Sequence, residues 1–82
     1  MTTVTLYTRR GCHLCDEARE QLLEMRAAGP GFEVREKDIE QDERLHARYL
    51  ERIPVVEIEG RIVSELVLDR DAVRSRLDTV AA

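Results

Sequence analysis

The 82-residue chain has no tryptophan, two prolines, two cysteines, and a single lysine, Lys37, among its 13 basic residues. Its three aromatic residues, Tyr7, Phe32 and Tyr49, are too few for a base-stacking platform, and a formal charge of −4 opposes binding to a phosphate backbone. Nucleic acid is therefore not an expected partner, and the arginines read as a compositional bias rather than a set of phosphate ligands. No apolar run approaches the roughly 20 residues that span a bilayer. The segment Met1–Leu6 has no basic region, apolar stretch or cleavage site of a leader. The expectation is a soluble, cytoplasmic monomer without membrane contact. Apolar residues at 43% and charged residues at 37% exclude general disorder, and the length fits one domain, 1–82, rather than two.

The two cysteines, Cys12 and Cys15, carry most of the information. Random placement gives this Cys-x-x-Cys spacing in roughly 2% of cases, so it points to chemistry. A structural staple, half of a metal site and a redox dithiol are the three readings. A staple across so short a loop removes little unfolded-state entropy, about 2 kcal/mol before strain. Zinc asks for four ligands, and beyond the thiolates the chain offers only His13, inside the motif, and His46, far along the sequence. A redox dithiol needs only one exposed, low-pKa thiolate and a second thiol near enough to resolve a mixed disulfide.

The surroundings favour the redox reading. Thr3–Thr8 is β-branched and aromatic, a strand, and Arg10-Gly11 breaks it before Cys12. Asp16–Ala28 lacks Gly and Pro, and Ala18, Leu22 and Met25 recur at helical spacing, with a stop at Gly29-Pro30-Gly31. Asp16 and Glu17 fall in the first turn, where anionic groups suit the helix dipole. Cys12 then lies at or just before a helix N-terminus, whose free N–H groups favour a thiolate.

A second strand runs from Phe32 to about Ile39, followed by a short helix over Asp42–Glu51 with Leu45, Tyr49 and Leu50 inward. His46 reads as a surface or half-buried packing residue. Pro54–Glu59 is a third strand with Pro at its tolerated first position, Gly60-Arg61 a turn, and Ile62–Leu66 a fourth, antiparallel strand. Asp69 caps a last helix with Ala72, Val73, Leu77 and Val80 on one face. The order βαβ-αββα predicts an α/β fold: a four-stranded mixed sheet with three helices, its parallel pair joined by a right-handed crossover.

The segments Leu6-Tyr7-Thr8-Arg9-Arg10-Gly11-Cys12-His13-Leu14-Cys15 and Arg52-Ile53-Pro54-Val55-Val56, with Gly60 in the hairpin, resemble the glutaredoxin family of the thioredoxin-like fold. The resemblance covers nearly the whole chain and is nearest to small bacterial glutaredoxin-like proteins. It implies a thiol-disulfide oxidoreductase with Cys12 as nucleophile and Cys15 as resolving thiol. Pro54 is then a cis-proline facing the dithiol, leaving the backbone of Ile53 free to pair with an extended substrate. Arg9 matches the family's basic glutathione contact. His13 is placed to donate to the Cys12 thiolate or to lower its pKa. Leu14 is placed to offer a partner an apolar contact.

Two positions depart from the family pattern. Ser64 and Glu65 replace the usual Gly-Gly after the hairpin, and Glu65 sets a negative charge where a glutathione carboxylate is expected. His13-Leu14 replaces Pro-Tyr between the cysteines. The implied substrates are disulfide-containing proteins or glutathione-mixed disulfides, with glutathione or a thioredoxin-reductase-type flavoprotein as electron donor. No metal or organic cofactor is expected. Two alternatives belong to other classes: an iron–sulfur carrier ligating its cluster through Cys12 of two copies, and a noncatalytic thioredoxin-like binding module.

Overall fold

The computed structural model describes residues 1–29 and 31–81. They form β1 (Thr3–Thr8), α1 (His13–Ala28), β2 (Glu33–Asp38), a single 3-10 turn (Ile39–Gln41), α2 (Glu43–Tyr49), β3 (Val55–Ile58), β4 (Arg61–Glu65) and α3 (Arg70–Ala81). The strands make one mixed sheet in the order β2-β1-β3-β4. β1 is parallel to β2 and antiparallel to β3, and β4 returns antiparallel to β3. This is the α/β architecture of four strands and three helices that the sequence predicts.

Period-two alternation assigns each strand residue to a face. Val4 and Leu6 of β1, with Val56 and Ile58 of β3, face α1 and α3. There they pack with Ala18, Leu22, Met25, Phe32, Leu68 and Val73. Burial of each large aliphatic side chain in this group stabilises the fold by about 1.5–3 kcal/mol. Tyr7 and Val55 point to the opposite face and join Cys15, Ile39, Tyr49 and Ile53 in a second cluster. That smaller cluster lies beneath the dithiol. The sheet edge at β2 carries Glu33, Arg35, Glu36, Lys37 and Asp38, charges that discourage pairing with another strand.

Several boundaries differ from the sequence reading. α1 begins at His13, with Cys12 just before it as the sequence reading placed it; Asp16 lies in the first turn and Glu17 beyond it. Gly29 ends the helix at φ 74°, its N–H donating to the Arg26 carbonyl at 3.1 Å. Pro30 of the expected stop lies outside the described residues. β2 ends at Asp38, whose side chain accepts the Glu40 N–H and opens the 3-10 turn. Asp42 caps α2 by accepting from Arg44 and Leu45, and the helix closes at Tyr49. Leu50 therefore turns outward instead of into the core.

The hairpin turn is Glu59-Gly60, not Gly60-Arg61. Both turn residues have positive φ, 50° and 78°, as a twist-matched two-residue turn requires. Arg61 instead pairs with Ile58, and a register shift between Val56 and Glu57 restores the pairing of Val56 with Ser64. Asp69 does cap α3, its Oδ1 accepting the Ala72 N–H at 3.0 Å. Val73 is buried, and Leu77 and Val80 pack against the larger cluster as their spacing predicts.

Candidate active site

The loop from β1 to α1 places Cys12 at the N-cap of α1, with extended backbone angles of φ −88° and ψ 106°. Gly11, at φ 79°, turns the chain so that the Cys12 N–H donates to the Arg9 carbonyl at 3.3 Å. A side chain at Gly11 would be strained in this left-handed conformation. The Cys12 Sγ accepts the backbone N–H of Cys15 at 3.1 Å, the bond that a serine or aspartate oxygen makes at an ordinary N-cap. Donors at a helix N-terminus favour negative charge, so in the reduced state they stabilise a Cys12 thiolate over the thiol.

Cys12 and Cys15 form a disulfide with their Cα atoms 5.2 Å apart. Cys12 is half-buried, whereas Cys15 is only 1% exposed. One sulfur is thus open to solvent and the other is set in the apolar cluster under it. An arrangement of this kind lets an outer sulfur meet another molecule while the inner one waits within bonding reach.

The Ile53–Pro54 peptide bond is cis, and both residues are buried. Ile53 packs in the same cluster as Cys15, with Cys12 against its edge. The backbone of Ile53 is not wholly free, contrary to the expectation from sequence. Its N–H donates to the Tyr49 carbonyl at 3.0 Å, because the chain leaving α2 continues a helical turn through Arg52 and Ile53. Among the described residues its carbonyl accepts no hydrogen bond.

Beneath the dithiol, the Tyr7 and Tyr49 rings are tilted by 38° with centroids 4.7 Å apart. The Tyr7 hydroxyl donates to Glu57 Oε2 at 3.0 Å. Burial, together with that carboxylate, pushes the Tyr7 hydroxyl up to about 12, so it stays protonated through the neutral range. The Arg48 and Arg52 guanidinium groups lie 5.9 and 5.4 Å from the centre of the Tyr49 ring, a cation–π arrangement.

The remaining sequence candidates occupy distinct positions. His13 is exposed, and the donor to Cys12 Sγ is the Cys15 amide rather than the imidazole. Arg9 lies 3.7 Å from the Glu40 carboxylate, so its charge is shared within the protein. Leu14 is 40% exposed beside the motif, as expected. His46 is half-buried on α2. Among the described residues, no group of three or more His, Cys, Asp or Glu side chains could hold a metal ion.

Features on the far side of Pro54 carry less sequence signal. The Arg52 guanidinium donates to Glu65 Oε2 across the ends of β3 and β4. That hydrogen bond holds the Glu65 carboxyl below its ordinary range and raises Arg52 further. Beyond it the Leu66 N–H donates to the Arg52 carbonyl at 3.1 Å, with Leu66 in the left-handed region at φ 62°. Leu66 and Val67 are 48% and 70% exposed. Ser64, by contrast, is buried, and its hydroxyl oxygen accepts the Asp69 N–H at 2.9 Å. The one sequence signal for this region is an apolar pair in a loop where polar residues are the rule.

A glutaredoxin-like domain (DUF836) model matches residues 3–78. A Nitrosomonas europaea protein solved by NMR superposes with a TM-score of 0.82 at 28% identity, covering 92% of this chain and 89% of that one. The X-ray structure of an X. campestris protein gives 0.70 at 36% identity, covering 93% and 96%. A mutant thioredoxin from Halobacterium salinarum shares the fold at 22% identity and a TM-score of 0.63, covering 95% of this chain and 73% of its own. No curated protein matches the chain in sequence. With the family match spanning nearly every described residue, the chain belongs to the glutaredoxin-like domain family.

Proposed function

We propose that this protein is a thiol-disulfide oxidoreductase whose reacting groups are Cys12 and Cys15. The observation that carries the reading is the placement of the two sulfurs: Cys12 half-exposed on a helix N-cap, Cys15 buried and bonded to it. In the reduced protein the Cys12 thiolate attacks one sulfur of a substrate disulfide. The Cys12–substrate bond forms as the substrate S–S bond breaks, and the departing sulfur takes a proton from water. Cys15 then loses its proton and attacks Cys12 Sγ, expelling the second substrate sulfur as a thiol. The substrate gains two electrons and the Cys12–Cys15 disulfide is regenerated. Ile53 packs in one cluster with the cysteines, and the cis bond that follows it, to Pro54, shapes the chain at the face that a substrate meets. The cycle needs an external thiol donor and no metal or organic cofactor.

Glutathione or a thioredoxin-reductase-type flavoprotein fits as that donor, and the two are separated by assay. The protein is mixed with a glutathione-mixed disulfide, glutathione, glutathione reductase and NADPH, and in parallel with thioredoxin reductase, NADPH and insulin disulfides. Turnover in either system that is lost in Cys12→Ser supports the reading and names the donor. Silence in both systems, together with failure of the reduced protein to open any disulfide stoichiometrically, overturns it.

A further inference from the structure

We infer that the disulfide this site takes is carried on a protein segment with apolar residues beside its cysteine, in preference to glutathione disulfide. The inference rests on Cys12 being the attacking sulfur and adds the chemistry of the face around it. On one side of the dithiol, Leu14 projects from the motif itself at 40% exposure. On the other, Ile53 packs against the cysteines, and Leu66 is tied by its N–H to Arg52, the residue preceding Ile53. Leu66 and Val67 thus extend an exposed apolar surface away from the cis-proline segment. Solvent-facing leucine and valine at consecutive loop positions lose nothing by meeting an apolar partner, and each covered methylene contributes favourably.

The polar groups around Leu66 are already engaged. Arg52 and Glu65 pair with each other, so neither charge awaits a ligand. At the start of α3, the Asp69 N–H is taken by the Ser64 hydroxyl and the Ala72 N–H by the Asp69 carboxylate. The Leu66 N–H is taken by Arg52. A charged tripeptide carboxylate would meet spent donors and the Glu65 and Asp69 carboxylates, an electrostatic mismatch. The Ile53 carbonyl, which accepts no hydrogen bond among the described residues, takes one backbone N–H from an extended chain. An apolar segment whose N–H reaches Ile53 satisfies that acceptor and covers Leu66 and Val67.

Stopped-flow oxidation of the reduced protein tests this with four disulfides. These are a peptide whose cysteine is flanked by Leu and Val, the same peptide with Ser flanks, glutathione disulfide, and the small uncharged bis(2-hydroxyethyl) disulfide. Both peptide cysteines are presented as mixed disulfides with 2-mercaptoethanol. The apolar peptide is expected to react fastest. In the Leu66→Asn/Val67→Ser variant its rate relative to bis(2-hydroxyethyl) disulfide falls about fivefold, the scale of one lost apolar contact. Asparagine is chosen because it tolerates the left-handed backbone at Leu66. A glutathione disulfide rate equal to or above that of the apolar peptide, or a ratio unmoved by the double variant, overturns the inference while leaving dithiol exchange standing. Failure of all four disulfides to react overturns the function itself.

Discussion

The Cys12 Sγ accepts the backbone N–H of Cys15 at 3.1 Å, so the exposed sulfur is held by the amide of the residue that carries the buried one. Helix start, exposed sulfur and buried sulfur are thereby a single local structure. The cap leaves Cys12 facing solvent while α1 carries Cys15 inward against Tyr7 and Ile53.

This arrangement makes the two thiols unequal. In the reduced protein, Cys12 is expected to be alkylated by iodoacetamide at least about tenfold faster than Cys15, because reactivity follows thiolate character and access. Mass spectrometry after partial alkylation at neutral pH reads the ratio directly. Equal modification of the two would mean that the cap does not distinguish them.

Tyr7 makes stability depend on pH in the alkaline range. Its hydroxyl loses a proton near 10 in the unfolded chain and at about 12 in the native state, raised by burial and by Glu57. Between these values the native state binds more protons, so stability is fully present below pH 10 and is lost as pH rises toward 12. The expected loss is about 1–2 kcal/mol, taken below the full two-unit value because Glu57 itself is half-exposed. Urea unfolding of the oxidised protein at about pH 9 and pH 11.5, for the wild type and Tyr7→Phe, checks it. The alkaline drop is expected to be smaller in the variant, and an identical drop would assign it elsewhere.

Glu65 sets the charge beside the cis-proline. With Arg52 it forms a closed pair, and Glu65→Gln removes the anion while releasing the cation. Glutathione disulfide, itself anionic, is expected to react faster with the reduced variant than with the wild type. The gain is expected to shrink as salt is added, since exposed charges are screened over about 8–10 Å at physiological ionic strength. Stopped-flow rates at low and high salt provide the check. No gain at low salt would show that this pair does not influence an approaching anion.

How much of this was legible varies with the physical signal. Strand Thr3–Thr8 follows from its β-branched and aromatic composition, and the apolar face Val73, Leu77, Val80 from helical spacing, which burial imposes directly. The α1 start was legible from the motif, with Cys12 at or just before the helix N-terminus, but not the capping role of its sulfur, because propensities place Ser, Thr, Asp or Asn at an N-cap. The hairpin turn moved by one residue because Gly60 supplies only the second of two positive-φ positions, and Glu59 accepts the first without a sequence cue. The cysteines were readable from spacing. The Arg52–Glu65 pair and the Leu66 N–H on the Arg52 carbonyl were not, since each joins residues through tertiary geometry. Nor was the Tyr49 carbonyl on Ile53, since it depends on the helical turn continuing past the end of α2.

Ser64 shows the same limit in a single residue. In the sequence it stands only as a departure from glycine. In the structure its side chain is buried, and its oxygen accepts the Asp69 N–H at 2.9 Å, tying the end of β4 to the cap of α3. Ser64→Ala leaves that N–H without its acceptor, and a loss of about 1–2 kcal/mol is expected from the unmatched donor. Equilibrium urea unfolding measures it, with the midpoint falling and the slope unchanged. Ser64→Gly is expected to cost more than Ser64→Ala, because glycine loses more backbone entropy within β4 on folding. If both variants unfold at the wild-type midpoint, water replaces the hydroxyl and the tie to Asp69 does not hold the loop that carries Leu66 and Val67.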